Sequence, residues 1–131
     1  MKFFVTGRSS NYNRVIEAFD KIEASGNEVT LRWTDFPMIK PYSENSEKAG
    51  EYSIQQLKGI AEADVFILFA HEDGTGVFTE FGAALIMEML NKKLKIFAIG
   101  NDDVKGKAMF HFHPIIQWRS SVDEIISEVT K

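Results

Sequence analysis

Short apolar runs alternate along the chain with longer segments in which apolar residues recur every three or four positions. The runs have the length and the aromatic and β-branched content of buried strands, and the spaced segments have the period of amphipathic helices. The pattern predicts strands over 2–6, 28–33, 65–70, 94–99 and 115–118, the second of which alternates like an outer strand. It predicts helices after Asn11, before Asp64, from about Val77 to about Lys92, and over 122–129.

Strands that alternate with helices are typical of a parallel sheet with right-handed crossovers. Five such strands in 131 residues predict one domain over 1–131, a flavodoxin-like (Rossmann-like) three-layer α/β/α sandwich with strand order 2-1-3-4-5. In that order the first and third strands are neighbours, so the turns that follow them should face one another across a crevice. Irregular segments over 34–50 and 106–113 predict a loop or lid and a second loop.

Local signals predict where several helices begin and end. Asn11 is expected to cap the first helix, Ser25-Gly26-Asn27 to end it, and Ser120 or Ser121 to cap the last, with Glu124 near the capping-box position. On the third helix one face is available for burial, formed by Phe78, Phe81, Leu85 and Met89. Apolar residues off that face are expected to pack under a loop or to form a dimer surface: Ile86, Met87 and Leu90.

Composition narrows the functional classes. The chain is 44% hydrophobic and 26% charged, as in ordinary globular proteins, and its formal net charge of −4 argues against a nucleic-acid-binding surface. The absence of cysteine excludes disulfides and thiol chemistry. The apolar run at the N-terminus is too short for a signal peptide, and no stretch has membrane-spanning length, so a cytoplasmic protein without membrane contact is expected.

The predicted third strand leads into an acidic, glycine-rich turn and then a helix. Gly74 and Gly76 give this turn conformational freedom and let a ligand approach the main chain. Glu80 is expected in the first helical turn, at the carboxyl end of the strand, where open α/β sheets bind ligands. A carboxylate there can attack a sugar carbon, or it can merely complement the helix dipole; the spacing leaves both interpretations open.

Other polar residues near the predicted crevice could bind a ligand or could have an ordinary structural role. Gly7, Arg8 and Ser9 could hold a 5′-phosphate or a ribose hydroxyl, or they could form an ordinary polar turn. Asp73 could orient a sugar hydroxyl or be a solvated turn residue. The histidines at 71, 111 and 113 lack the spacing of a metal site, so packing or solvent-exposed roles are expected and no metal is predicted.

The central motif resembles the signature of the nucleoside 2-deoxyribosyltransferase superfamily, which includes deoxynucleoside monophosphate N-glycosidases. The similar residues are Asp64-Val65, Asp73-Gly74-Thr75-Gly76 and Glu80-Phe81-Gly82-Ala83-Ala84-Leu85, with weaker matches at Gly7, 26–30, 32–33 and 110–114. The resemblance implies an enzyme that cleaves or transfers an N-glycosidic bond of a nucleoside or nucleotide, with Glu80 as nucleophile. It implies no cofactor, and it implies a homodimer or larger homo-oligomer, because related sites usually lie at subunit contacts.

Two departures from the family pattern concern catalysis. The first strand of related enzymes often carries a Tyr that holds the nucleophile, and the expected register puts Phe3 there. Related enzymes also have an Asp that protonates the leaving base, eight residues before the Asp of the Ala-Asp-Val stretch, where this chain has Gln56. Tyr52 or Asp73 could substitute. The predicted substrate site thus comprises Gly7, Arg8, Ser9, Gln56, Asp73, Gly74, Thr75 and Gly76 around Glu80.

Two other functions remain open. A sensor that binds a nucleotide-derived ligand without turnover would use the same crevice, and Phe3 and Gln56 favour it. A phosphoribohydrolase of the lysine-decarboxylase-like group is the other, because its Gly-Gly-x-Gly-Thr-x-x-Glu motif partly resembles 73–80. Asp73 and Val77 depart from that motif, so it ranks lower.

Overall fold

A parallel sheet forms the centre of the molecule. The computed structural model describes residues 1–91 and 93–130, and in that part of the chain the sheet has five strands in the order β2-β1-β3-β4-β5. The strands are β1 (Lys2–Thr6), β2 (Glu28–Val29), β3 (Val65–Phe69), β4 (Lys95–Ile99) and β5 (Gln117–Arg119). The predicted order is confirmed, and β1 lies beside β3 with Thr6 opposite Leu68.

Helices cover both faces of the sheet, which confirms the predicted three-layer sandwich. They are α1 (Tyr12–Ala24), α2 (Ser46–Ala61), α3 (Thr75–Asn91) and α4 (Val122–Val129). Side chains alternate along β1, so Phe3 packs with α1 and α4 on one face, whereas Phe4 packs with α2 and α3 on the other. Every residue of β3 is buried, as expected for a strand covered on both sides.

Several predicted helix boundaries are confirmed. Helix α1 ends before Gly26, which has a φ of 84°. Helix α4 spans the predicted residues, and the Ser121 hydroxyl caps it by accepting a hydrogen bond from the Glu124 N–H at 3.1 Å. Asn11 stands just before α1 but makes no side-chain capping bond; its Oδ1 accepts from Arg14 at 3.4 Å instead.

The predicted second strand is too long. Pairing with β1 covers Glu28–Val29, and Trp33–Asp35 forms a short 3₁₀ turn. The Trp33 indole N–H donates to the Val5 carbonyl at 2.7 Å, so this residue meets β1 through its side chain rather than its backbone. Trp33 therefore packs against β1 through its side chain but does not lengthen β2.

The predicted loop over 34–50 is also too long, because α2 begins at Ser46 and a 3₁₀ turn covers Tyr42–Glu44. The first turns of α2 are polar and largely exposed, so no apolar period marks them. Helix α3 begins at Thr75, two residues before the expected start, and the predicted end at Lys92 lies outside the described residues. A 3₁₀ turn over Met109–Phe112 lies within the predicted loop 106–113.

Helix α3 exposes more apolar surface than its pattern predicts. Phe81 and Leu85 are buried and Phe78 is partly buried, but Met89 is 54% exposed, so its assignment to the buried face was wrong. Ile86 and Leu90 are exposed as well. In the described part of the chain no helix combines the length and the apolar character needed to cross a bilayer.

Candidate functional site

The turns that follow β1 and β3 meet at the carboxyl edge of the sheet, as predicted. The Arg8 guanidinium after β1 forms an ion pair with the Asp73 carboxylate after β3. Gly74 has a φ of 120°, and a Cβ at this position would lie 3.0 Å from Arg8 Cγ. The glycine is thus needed both for its backbone conformation and for the close approach of the two turns.

Glu80 lies in the second turn of α3, because the helix begins at Thr75 rather than near Val77. The expectation that it occupies the first turn was wrong, and its carboxyl group is directed toward β1 and α2 instead of the helix N-terminus. The Thr6 hydroxyl donates to Glu80 Oε1 at 3.4 Å. A role limited to complementing the helix dipole is therefore a poor account of this side chain, since that effect fades beyond the first turn.

Gln56 on α2 is the other neighbour of this carboxyl group. With its amide nitrogen turned toward Glu80, Gln56 donates to Oε1 at 3.2 Å and to Oε2 at 3.3 Å. The opposite amide orientation presents an oxygen, which is an acceptor for a protonated carboxyl. The same side chain can therefore contact either protonation state of Glu80 by turning its amide over.

Burial raises the pKa of Glu80 from the ordinary 4.5 to about 8, and the Thr6 hydrogen bond lowers it. Burial dominates because a carboxylate loses hydration in the protein interior, whereas the neutral acid loses much less. Strongly raised pKa values in a crevice are typical of functional carboxyl groups, although structural ones also occur.

Thr6 is a site residue that the sequence analysis did not name, and the expected register, which put Phe3 beside the nucleophile, was wrong. Phe3 is fully buried against α1 and α4, on the face of the sheet opposite Glu80. Because side chains alternate along a strand, Phe4 and Thr6 share the face that α2 and α3 cover. A polar residue at the carboxyl end of an otherwise apolar strand was the signal available in the sequence.

The remaining predicted residues fall into two groups. Gly7 is packed between α1 and β3, since a Cβ there would lie 3.1 Å from Val15 and 3.2 Å from Phe69. Ser9, Thr75 and Gly76 are exposed at the rim, and the Thr75 carbonyl accepts from the Thr79 hydroxyl at 2.7 Å. These residues lie in or beside the turns at the carboxyl edge of the sheet, and their predicted ligand contacts remain predictions.

A cavity of about 620 Å³ lies on the other side of α3. Phe78, Phe81 and Gly82 line it from the helix, and Met109 and Phe110 line it from the 3₁₀ turn. Phe78 and Gly82 are each two residues from Glu80, which places them about 200° around the helix from it. Glu80 does not line this apolar cavity, although three of the predicted substrate-site residues, Asp73, Gly74 and Thr75, do.

The three histidines pack in the protein interior or accept hydrogen bonds within turns. His111 is 3% exposed, its Nδ1 accepts from the Gly106 N–H at 3.2 Å, and burial lowers its pKa. The Nδ1 atoms of His71 and His113 accept backbone N–H groups two residues further along the chain. No group of His, Asp or Glu side chains within residues 1–91 and 93–130 has the arrangement of a metal site.

Comparison with known structures shows a shared fold over the whole chain. The structure is similar to that of Clostridium botulinum CMP N-glycosidase, BcmB, covering 99% of this chain and 98% of that one at a TM-score of 0.60 and 17% identity. At this level of identity the likeness shows a shared fold. No protein-family profile and no curated protein matches the chain.

Proposed function

We propose that this protein cleaves the N-glycosidic bond of a nucleoside or nucleoside 5′-monophosphate, or transfers its sugar, with Glu80 as the nucleophile. The observation that carries the proposal is the partly buried Glu80 carboxyl, which is held by Thr6 and Gln56 at the carboxyl edge of the sheet. The whole-chain likeness to a CMP N-glycosidase supports the same class of reaction.

In this mechanism a Glu80 oxygen attacks the anomeric carbon while the base departs, which gives a covalent glycosyl ester. Water then releases the sugar in a hydrolase, whereas a second base accepts it in a transferase. Thr6 and Gln56 orient the carboxylate for attack, and the backbone around Gly74, Thr75 and Gly76 binds sugar oxygens.

A 5′-phosphate would bind near Gly7, Arg8 and Ser9 in this proposal. Arg8 already forms an ion pair with Asp73, so a phosphate would share or replace that partner. A guanidinium suits this exchange, because its several N–H donors can contact a phosphate and a carboxylate at once.

The pKa of Glu80 gives the proposed reaction a defined pH dependence. The nucleophile must be ionised, and burial raises the pKa of this carboxyl to about 8. The value of kcat/KM should therefore rise nearly tenfold per pH unit below pH 8 and level off above it. A bound substrate that brings positive charge would lower this pKa in the complex, so the limb of kcat should lie at lower pH than that of kcat/KM.

The test is chromatographic detection of free base from ribo and deoxyribo nucleosides and their 5′-monophosphates, with and without an acceptor base. Base release by the wild type that is lost in Glu80→Gln, with retention of fold, supports the proposal. The variant keeps the shape and hydrogen-bonding capacity of the side chain but removes the nucleophilic carboxylate. Release that persists in Glu80→Gln, or no release from any substrate, contradicts it.

A ligand-binding protein without turnover is the second candidate, because an amide rather than an acid contacts Glu80. Under this alternative the same nucleotides raise the melting temperature, yet no base is released over hours. The wild-type chromatography and a thermal-shift series on the same ligands distinguish the two functions.

A further inference from the structure

The groups that contact the Glu80 carboxyl are uncharged. Thr6 provides a hydroxyl and Gln56 an amide, and neither exchanges a proton near neutral pH. Desolvation raises the pKa of this carboxyl and the Thr6 hydrogen bond lowers it, so within residues 1–91 and 93–130 it has the electrostatics of a partly buried acid without a cationic partner.

In the described part of the chain the hydrogen-bond partners of the Glu80 carboxyl are Thr6 and Gln56, and neither Asp73 nor Tyr52, the possible substitutes for an acid, is among them. Asp73 is paired with the Arg8 guanidinium, and a carboxylate in an ion pair is an acceptor rather than a proton donor. Tyr52, one helical turn before Gln56, stacks on Phe36 with ring centroids 4.3 Å apart. The group that faces the nucleophile from α2 is the Gln56 amide, so this position supplies hydrogen bonds and no proton.

This arrangement bears on which bases can leave. When the bond between C1′ and a neutral base breaks, the base departs as an anion unless it is protonated, and a positioned acid accelerates that step by about 10²–10⁴-fold. A base that is already cationic, such as a pyridinium, needs no proton. Its bonding electron pair moves onto the ring nitrogen, cancels the positive charge and leaves a neutral molecule.

We propose that this site favours N-glycosides whose base carries a positive charge, of the pyridinium riboside and pyridinium ribonucleotide class, with Gln56 as a positioning residue for Glu80. This inference rests on the proposed glycosidic function and specifies its leaving group. The positive ring supplies the charge that a buried carboxylate lacks, so substrate binding itself draws Glu80 into the ionised form.

The steps balance without a further reactant. A Glu80 oxygen forms a bond to C1′ while the C1′–N bond breaks and its electron pair goes to the pyridine nitrogen. A water oxygen then bonds to C1′, the ester C1′–O bond breaks with its pair returning to Glu80, and the water proton passes to solvent. No step asks for a proton at the leaving base.

The test compares nicotinamide mononucleotide with CMP and dCMP at one pH, by chromatography of the released base and with Glu80→Gln as the blank. We expect kcat/KM for nicotinamide mononucleotide to exceed that for CMP by about 10²-fold or more, the typical value of a missing acid. If CMP or dCMP is cleaved as fast as nicotinamide mononucleotide, and Glu80→Gln abolishes that cleavage, the proposed function holds and this inference is overturned. If no substrate releases base, both are overturned.

Two variants, Gln56→Glu and Gln55→Glu, test the role of Gln56. Gln56→Glu introduces a titratable acid beside Glu80, where the two carboxyls favour sharing a proton. It should raise the rate on CMP relative to nicotinamide mononucleotide by about tenfold or more. Gln55→Glu adds the same group at the exposed neighbouring position and should leave the ratio unchanged. The assigned role of Gln56 is overturned if Gln56→Glu leaves the ratio of the CMP rate to the nicotinamide mononucleotide rate unchanged. It is also overturned if Gln55→Glu changes that ratio by the same factor.

Discussion

At the scale of single residues, Glu80 couples the site to the stability of the fold. Its carboxyl keeps a proton up to a pKa of about 8 in the folded protein, whereas the ordinary value is 4.5. Between those two pH values the unfolded chain releases this proton and the folded protein holds it. The folded state of the wild type therefore loses stability as the pH rises through this window.

Glu80→Gln should consequently stabilise the protein by an amount that grows with pH. Near pH 5 the partly buried wild-type carboxyl is neutral and resembles the amide, so little difference is expected. Near pH 8.5 the variant should be more stable by on the order of a few kcal/mol, at about 1.4 kcal/mol per unit of pKa shift. Urea unfolding at both pH values measures this, with Glu88→Gln on the same helix as the control. A difference that does not change with pH would contradict the raised pKa.

A site residue can be predicted only where the neighbouring sequence indicates its position in the fold. Glu80 follows a glycine-rich turn after a buried strand, so its place at the crevice was predictable. Thr6 is marked only as a polar residue at the end of an apolar strand, because strand alternation fixes which residues share a face but does not reveal which helix covers that face. The contact between Gln56 and Glu80 joins two helices and has no local signal.

At the scale of elements, the turn between β3 and α3 depends on Gly74, whereas Gly76 lies in the first turn of α3. Gly74→Ala should destabilise the protein by about 1–3 kcal/mol, because its positive φ disfavours a side chain and the new Cβ would contact Arg8 at 3.0–3.1 Å. Gly76→Ala is the matched control, since its Cβ would meet nothing within 4 Å and it lies inside the helix. Thermal unfolding of both variants measures the contrast, and equal destabilisation would contradict it.

The boundaries of the elements were predictable where burial determines them. Strand β1 and helix α4 match their predicted residues, because both are marked by a strong apolar pattern. The start of α2 was missed because its first turns are polar and exposed. The length of β2 was overestimated because the indole of Trp33, rather than its backbone, bonds to β1.

At the scale of the whole molecule, the layer formed by α2 and α3 carries an unusual amount of exposed apolar surface. Ile54 and Leu57 on α2 are 67% and 45% exposed, and Ile86 and Leu90 on α3 are 53% and 75% exposed. Single exposed apolar residues are normal, but several on adjacent helices are typical of an interaction surface. The sequence pattern left packing under a loop and a dimer surface as alternatives for Ile86 and Leu90, and their exposure favours the dimer.

We therefore expect the protein to form a homo-oligomer through the α2–α3 layer, with a dimer as the simplest closed assembly. Leu90→Glu should shift it to monomer, because a charge that lies exposed on the monomer would be desolvated in the contact. Ser127→Glu adds the same charge on α4, on the opposite face of the sheet, and should leave the assembly intact. Size-exclusion chromatography with light scattering at micromolar concentration measures the mass of each. A wild type that is wholly monomeric, or a dimer that Leu90→Glu does not weaken, would show that this layer is not the interface.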